Sequence, residues 1–311
     1  MRNGQLVAFP TETVYGLGAN AFDENAVKSV FVAKGRPSDN PLIVHVANKG
    51  QISSVCKPLS PLAEDIVDAF MPGSLTVVLP KLDVVPSVVT AGLDTVAVRM
   101  PVSQEARDFI SACGVPVAAP SANTSTRPSP TTWQAVAEDM DGKIAAILKG
   151  SPCAVGIEST VLDLTGNVPR ILRPGIVTPS QIKERTGVFV TVVTNPKEKV
   201  NSPGVKYKHY APRCPMVLNL DGDVDKLTDF YDQLKRQGKN PVLLVQRPSL
   251  FPDCAVYPLG ETDEEVARNA FAALRACEKN YDYIIASFCG TSEVAFSVLN
   301  RLTKSAGQNI L

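Results

Sequence analysis

The stretch from Lys34 to His45 holds the residues of this sequence best suited to binding an anion. Lys34 and Arg36, two permanent cations, flank a glycine, and Pro37 and Pro41 restrict the turn that follows them. A lysine supplies a compact charge and an arginine a planar fork of donors, so a rigid turn that presents both can hold a phosphate or a carboxylate. Taken alone, the stretch fits a solvated loop with two ordinary surface cations equally well.

Further side chains suited to a polar ligand occur in a predicted loop over residues 10–19. Thr11, Glu12 and Thr13 lie there between a proline and two glycines. The threonines alternate about Glu12, so their hydroxyl groups point to the same side if the backbone is extended. The glycines permit close approaches of the backbone that other residues forbid.

Arg99 is a charge inside an otherwise apolar stretch that is predicted to be a strand, with Thr95 at its start. A buried charge needs a partner or a ligand, whereas an arginine on an edge strand faces water. Arg173 ends another predicted strand, where it is either a ligand-binding cation or an ordinary strand-terminal one. The sequence leaves both alternatives open for each arginine.

Two more polar segments complete this set. The 120–130 loop is rich in hydroxyl and amide groups and follows an apolar strand, the position at which α/β proteins place ligand-binding loops. Its composition alone also fits a solvated turn. Glu158 and Ser159 are predicted to lie inside a strand over residues 155–162.

Common motifs for nucleophiles and phosphate loops are absent from the sequence. It has no Gly-x-Ser-x-Gly elbow and no Gly-x-x-x-x-Gly-Lys-Ser/Thr loop, and its two histidines, His45 and His209, lie in different regions. Gly16-x-Gly18 matches a dinucleotide fingerprint only loosely, since six residues separate it from the preceding predicted strand. Several cations without a nucleophile favour phosphate chemistry by positioning and charge neutralisation.

Composition argues against several classes of protein. The chain has 311 residues with 31 Lys plus Arg and 31 Asp plus Glu, so bulk electrostatic binding of nucleic acid is not expected. Seven cysteines, an odd number without a Cys-x-x-Cys pair, argue for reduced thiols rather than disulfides or a zinc site. No apolar run is long enough to span a membrane, and the first residues carry no signal-peptide pattern. We therefore expect a cytoplasmic protein without a membrane partner.

The predicted elements indicate an α/β protein with two domains. Polar residues and prolines increase from about residue 195, and after Pro215 strands and helices alternate with the spacing of a small parallel sheet. We therefore predict domains over residues 1–194 and 216–311, joined by an interdomain segment over residues 195–215.

Six motifs, in this order along the chain, resemble the signature set of the YrdC-like family. They are Phe9-Pro-Thr-Glu-Thr-Val-Tyr-Gly-Leu-Gly18, Lys34-x-Arg36-Pro-x-x-Asn40-Pro-Leu-x-x-His45, Arg99-x-Pro101, Pro120-Ser-Ala-Asn123, Glu158-Ser-Thr160 and Arg173-Pro-Gly175. Ser202-Pro-Gly-x-Lys-Tyr-x-His-Tyr-Ala-Pro212 and the C-terminal region resemble the longer, two-domain threonylcarbamoyl-AMP synthases. The resemblance implies a twisted, mixed α/β sheet with a large, positively charged cavity, followed by a smaller Rossmann-like parallel α/β domain.

The resemblance also implies an activity. Members of this family act as L-threonylcarbamoyladenylate synthases, nucleotidyltransferases that combine L-threonine, bicarbonate or carbon dioxide, and ATP with Mg²⁺, and release pyrophosphate. The product would pass to a complex that transfers the threonylcarbamoyl group to the adenosine next to the anticodon of tRNAs, and a weak contact with RNA is also implied. No protein ligand to a metal is predicted, so Mg²⁺ is expected to be held mostly by the phosphates.

Carried over motif by motif, the resemblance assigns residues to two parts of a site. The threonine pocket would be lined by Thr13, His45, Arg99, Ala119 and Ser159, with Arg99 pairing the substrate carboxylate. ATP would be held by Lys34, Arg36, Asn40, Thr95, Ser121, Ser129, Arg173, Tyr207 and His209. Lys34 and Arg36 are expected to be catalytic, because cations must offset the repulsion when a carboxylated amine approaches the α-phosphate. Tyr207 and His209 would fold over the site as a lid that excludes water.

The sequence leaves two other functions open. The first is a YrdC-like module that binds double-stranded RNA without catalysis, although zero net charge and the lack of a basic stripe argue against it. The second is a carbamoyltransferase of the hydrogenase-maturation type, although such relatives carry zinc-finger and acylphosphatase-like domains that this chain lacks. Threonine-dependent release of pyrophosphate without RNA, or activity with carbamoyl phosphate, would distinguish the three functions.

Overall fold

The computed structural model describes residues 1–193 and 209–311 of the chain. These residues form two compact units. The first unit comprises residues 1–125, 130–154 and 158–193, and the second comprises residues 126–129, 155–157 and 209–311. The boundaries expected from the sequence, at 1–194, 195–215 and 216–311, stay predictions.

A mixed sheet of ten strands organises the described part of the first unit. The strands are β1 Val7–Phe9, β2 Gly16–Asn20, β3 Ile43–His45, β4 Leu75–Pro80, β5 Thr95–Arg99, β6 Val117–Ala119, β7 Ala146–Ile147, β8 Thr160–Asp163, β9 Arg170–Arg173 and β10 Thr191–Val192. Their order across the sheet is β10-β9-β8-β4-β5-β3-β6-β2-β1-β7, with both parallel and antiparallel neighbours. The mixed α/β fold predicted for the N-terminal part is confirmed.

Helices join these strands and end where the sequence places capping residues. They are α1 Glu24–Lys34, α2 Pro61–Phe70, α3 Ser87–Thr90, α4 Gln104–Cys113, α5 Trp133–Met140 and α6 Pro179–Thr186. Asp23 caps α1 and accepts hydrogen bonds from two backbone N–H groups of its first turn. Gly35 ends α1 in the left-handed conformation, with φ of 60°, so Lys34 lies in the last turn beside the 120–130 loop.

The centre of this sheet positions Arg99 and His45. Strands β3 and β5 are parallel neighbours, and their register sets His45 opposite Arg99 at the ends of both strands. Val96 and Val98 alternate with Arg99 along β5 and pack in the core, where each buried valine contributes about 1.5–3 kcal/mol. A well-packed strand of this kind gives the charged side chain at its end a fixed position.

Strand β2 begins inside the stretch that was predicted to be a loop, and that prediction is wrong for residues 16–19. Its Gly-Leu-Gly-Ala-Asn segment forms a strand because it pairs with β1 on one side and β6 on the other. Gly18 has no room for a larger residue, since a Cβ atom there would lie 2.8 Å from Val117 Cγ1 and 3.2 Å from the Phe9 ring.

The second unit contains a four-stranded parallel sheet, as predicted for the C-terminal part. Its strands are β11 Met216–Asn219, β12 Pro241–Val245, β13 Val256–Pro258 and β14 Tyr283–Ser287, in the order β11-β14-β12-β13. Its helices are α7 Val224–Arg236, α8 Asp263–Asn280 and α9 Glu293–Ser305. The Rossmann-like parallel arrangement expected from the sequence is confirmed.

Candidate active site

Arg99 is the centre of a buried hydrogen-bond network in the first unit. Its Nη1 donates to Thr13 Oγ1 at 2.7 Å, its Nη2 to Glu12 Oε1 at 2.5 Å and its Nε to the carbonyl oxygen of Gly73 at 3.2 Å. A guanidinium has five N–H groups, so these bonds leave one on each terminal nitrogen. Two N–H groups are what one carboxylate accepts from an arginine, which supports the role predicted for Arg99.

The alternative in which Arg99 lies on an edge strand and faces water is wrong. Strand β5 lies between β4 and β3, and the arginine is 3% exposed. A charge at this depth requires a partner, and Glu12 supplies it.

Glu12 is a member of the site that the sequence prediction omitted. Oε1 accepts from Ser74 Oγ at 3.0 Å as well as from Arg99. Burial raises the pKa of Glu12, but the Arg99 charge and the hydrogen bonds from Arg99, the backbone N–H of Glu12 and Ser74 outweigh it and hold that pKa below its usual range. Its position between two threonines, in a loop bounded by proline and glycine, could have identified Glu12 as a site residue. It was left out because a carboxylate is not expected in a site predicted to bind anions.

His45 is fully buried beside this network and carries no charge at neutral pH. Burial, followed by the charge of Arg99, lowers the pKa of His45 to about 3. Its Nδ1 lies 3.2 Å from the carbonyl oxygen of Ile43. The Phe9 ring packs edge-on against the imidazole with centroids 5.7 Å apart. The histidine thus forms part of a neutral wall beside Arg99.

Ser159 and Arg173 are in direct contact. Arg173 donates from Nε and Nη2 to the carbonyl oxygen of Ser159, at 3.1 and 2.9 Å, and from Nη2 to its hydroxyl group at 3.2 Å. The Ser159 hydroxyl also lies 2.7 Å from Thr76 Oγ1. Arg173 is buried, so it is not the ordinary strand-terminal cation that the sequence left open.

The strand predicted over residues 155–162 is shorter than expected. Strand β8 begins at Thr160, so Glu158 and Ser159 precede it instead of lying inside it. Gly156, with φ of 81°, interrupts an extended backbone near the start of the predicted stretch.

Lys34 connects the basic turn to the 120–130 loop. Its Nζ donates to the carbonyl oxygen of Ser121 at 2.5 Å and to that of Asn123 at 2.6 Å. Ser121 in turn donates from its hydroxyl to Asn123 Oδ1 at 2.5 Å. The structure therefore brings Lys34 and Ser121 together, and their contact with ATP stays a prediction.

Asn40 is buried with neither polar atom of its side chain paired. It is 1% exposed, and neither Oδ1 nor Nδ2 has a hydrogen-bond partner among the described residues. Arg36 lies against the same turn, with Nη2 donating to the backbone carbonyl of Asn40 at 3.3 Å. Buried amides are almost always hydrogen-bonded, so Asn40 indicates a place where a ligand supplies the missing partners.

The remaining predicted site residues lie on different strands and in different units. Thr95 begins β5, four residues before Arg99, and Ala119 ends β6 opposite Ile43. Ser129 and His209 belong to the second unit, and Tyr207 lies outside the described residues. Within the second unit, the segment of Ser129 is held to α8, since Arg275 donates twice to the carbonyl of Pro128, at 3.0 and 2.7 Å.

A cleft of about 890 Å³ lies on the first unit beside the end of α1. Lys34, Gly35, Thr124 and Lys143 are among its lining residues. Of the predicted ATP-binding residues that the structure describes, Lys34 is the one that lines it. The cleft therefore does not coincide with a nucleotide site built from the remaining predicted residues.

The described residues provide no group of three or more His, Cys, Asp or Glu side chains suited to a metal ion. None of the helices in residues 1–193 and 209–311 combines the length and apolar character needed to cross a membrane.

The described cysteines are free, and burial raises the pKa of Cys56 to about 11 and those of Cys153 and Cys277 to about 12. These thiols stay protonated and are poor nucleophiles.

Two family models match the chain. The Sua5–YciO–YrdC model, described as telomere recombination, matches residues 1–175. The model described as threonylcarbamoyl-AMP synthase, C-terminal domain, matches residues 177–307.

Relatives similar over the full length carry a consistent name. The threonylcarbamoyl-AMP synthase of Pyrococcus abyssi is 46% identical over 319 aligned positions that cover 100% of this chain and 93% of the relative. That of Bacillus subtilis is 41% identical and covers 100% of this chain and 92% of the relative. The crystal structure of P. abyssi Sua5 complexed with L-threonine superposes with a TM-score of 0.93 at 44% identity, over 100% of this chain and 93% of that one.

Proposed function

The chain belongs to the threonylcarbamoyl-AMP synthase family, and on that premise we propose that it forms L-threonylcarbamoyl-AMP and pyrophosphate from L-threonine, bicarbonate or carbon dioxide, and ATP. The enzyme is thereby assigned as a nucleotidyltransferase. We further propose that it acts in the cytoplasm and passes its product to a complex that modifies tRNA.

The buried network around Arg99 is the observation that supports this function best. Arg99 retains one N–H group on each terminal nitrogen after its bonds to Glu12, Thr13 and Gly73. Beside it lie the neutral His45 and the hydroxyl of Thr13. A small amino acid with a carboxylate and a side-chain hydroxyl fits such surroundings, and a relative was crystallised with L-threonine.

Nucleotide binding is assigned to the basic turn and the loops that contact it. The unpaired amide of Asn40 offers both a donor and an acceptor to ATP, and Lys34 and Arg36 supply positive charge. Arg173 would add further donors and Ser121 a hydroxyl oxygen, and Thr95, Ser129, Tyr207 and His209 stay assigned on the resemblance alone. The described residues form no metal cluster, so magnesium would arrive on the phosphates of ATP.

The chemistry follows from these charges. A carboxylate oxygen of the carboxylated amine attacks the α-phosphorus of ATP, a P–O bond forms, and the bond to the bridging oxygen of pyrophosphate breaks. Both reactants are anions, so the cations of Lys34 and Arg36 are required to reduce their repulsion and to stabilise charge on the leaving pyrophosphate.

The experiment is to incubate the full chain with ATP, Mg²⁺, bicarbonate and L-threonine and to detect the adenylate by mass. Pyrophosphate release that depends on both threonine and bicarbonate, without RNA, is the expected result. A reaction that requires carbamoyl phosphate, or binding of double-stranded RNA without pyrophosphate release, would contradict the proposal.

A further inference from the structure

Glu12 has one carboxylate oxygen fully engaged and the other unpaired. Oε1 accepts from Arg99 Nη2 and from Ser74 Oγ, at 2.5 and 3.0 Å. Oε2 is buried and has no hydrogen-bond partner among the described residues. A carboxylate accepts about four hydrogen bonds, and leaving a buried acceptor empty costs free energy. A ligand that supplies the missing donor accounts for this oxygen.

The neighbour of Glu12 restricts which ligand that is. Arg99, its ion-pair partner, keeps two N–H groups for a carboxylate. A ligand that places its own carboxylate there and a donor on Glu12 must carry the two groups close together. In an α-amino acid both groups are attached to the same carbon atom, so the Arg99–Glu12 pair complements a zwitterion.

We propose that Glu12 Oε2 accepts a hydrogen bond from the α-ammonium group of the amino-acid substrate while Arg99 holds its carboxylate. The inference rests on the function proposed above and adds to it a substrate-binding residue that recognises the amino group. It explains why an acid is buried in a site that otherwise binds anions.

The ionisation state of Glu12 agrees with this role. Although burial raises the pKa of Glu12, Arg99, the backbone N–H of Glu12 and Ser74 hold it below the usual range, so the group is an anion at neutral pH and only accepts hydrogen bonds. An ammonium group offers three donors and the opposite charge. A neutral hydroxyl in its place would form a weaker bond.

The contact between Glu12 and the amino group of the substrate changes as the reaction proceeds. Carboxylation requires the ammonium to release one proton to solvent. The free amine then forms an N–C bond to carbon dioxide and releases a second proton, so the nitrogen becomes part of an anionic carbamate that Glu12 repels. The interaction is therefore made with free threonine and lost before the transition state. Loss of the Glu12 charge should consequently raise KM for threonine without lowering kcat.

The test compares L-threonine with (2S,3R)-2,3-dihydroxybutanoate, which has a hydroxyl where threonine has its ammonium, by calorimetric titration of the full chain. We expect the wild type to prefer threonine by about 10- to 100-fold, the range of a hydrogen bond to a charged group. Glu12→Gln should lose most of that preference while its affinity for the dihydroxy acid changes by less than about threefold. Asp163→Asn removes another buried carboxylate of the same unit and should change neither affinity.

Equal weakening of both ligands in Glu12→Gln, or unchanged threonine affinity, would overturn the inference. If that variant does not fold, the wild type alone tests the inference. Its affinity for threonine should fall as pH rises through the pKa of the ligand's amino group, while its affinity for the dihydroxy acid stays constant. A wild type that does not prefer threonine contradicts the role of Glu12. A wild type that makes no adenylate contradicts the proposed function instead.

Discussion

His45 and Arg99 lie opposite each other at the ends of two adjacent parallel strands, so a permanent cation faces a histidine that carries no charge. Burial and then Arg99 lower the pKa of His45 to about 3 from its ordinary 6.5. Because the two positions are fixed by strand register, the neutral imidazole is a property of the fold itself.

Stability should therefore depend on pH through His45. Between pH 6.5 and about 3 the unfolded chain binds a proton at His45 and the folded chain does not, so stability falls as pH decreases through this window. The slope from this residue is about 1.4 kcal/mol per pH unit at most. Urea unfolding of the wild type and of His45→Gln across this range should show that extra slope in the wild type, and parallel curves would contradict it.

Arg99→Lys should abolish threonine activation while leaving ATP binding intact. Lysine keeps the positive charge beside Glu12 but loses the planar fork, and we expect a loss of about 100-fold or more in kcat/KM for threonine. Threonine-dependent pyrophosphate release and ATP titration measure the two effects. Arg170→Lys, on a half-exposed arginine of β9, is the matched control and should have near-normal kinetics. Loss of ATP affinity in Arg99→Lys would show that the assignment is wrong.

Asn40→Ala should separate stability from nucleotide binding. It removes a buried amide that has no partner in the described chain, so the melting temperature should stay constant or rise. ATP affinity should fall by about 10-fold or more, since the amide would lose its ligand contacts. Asn48→Ala is the control, because Asn48 caps the short 3-10 helix Lys49–Ser54. This variant should lose about 1 kcal/mol of stability without a change in ATP affinity. A marked loss of stability in Asn40→Ala with normal ATP binding would count against the site.

Gly18→Ala should disturb the threonine pocket through packing. The added methyl group would lie 2.8 Å from Val117 Cγ1 and would press on Phe9, which packs against His45. Overpacking of this kind costs about 1–3 kcal/mol, and the shift of Phe9 should also raise KM for threonine. Thermal unfolding and steady-state kinetics test both effects. Gly166→Ala has free space around it and should behave as the wild type, so equal effects in both variants would refute the packing explanation.

Local sequence signals predicted much of the fold because they act over a few residues. The alternation of strands and helices after Pro215, for example, predicted the parallel sheet that β11, β14, β12 and β13 form. Strand β2 was missed because small residues such as Gly16 and Gly18 have low strand propensity, and its structure comes from pairing with β1 and β6.

Properties that depend on distant residues were harder to predict. Nothing in the sequence around Arg99 tells an interior strand from an edge strand, because that depends on the order of strands in the sheet. Glu12 was named among the polar residues of its loop but not assigned to the site for the same reason, since its role depends on an arginine 87 positions away in the chain. The individual assignments of ATP-binding residues stay predictions.

Lys34 makes its two backbone contacts with the same ammonium group that is assigned to phosphate. A nucleotide that draws this group toward itself weakens the hold on the carbonyls of Ser121 and Asn123, so nucleotide affinity and the conformation of that backbone are thermodynamically linked. Such linkage is reciprocal. Whatever rigidifies residues 121–123 thus makes the nucleotide compete with these carbonyls for the lysine.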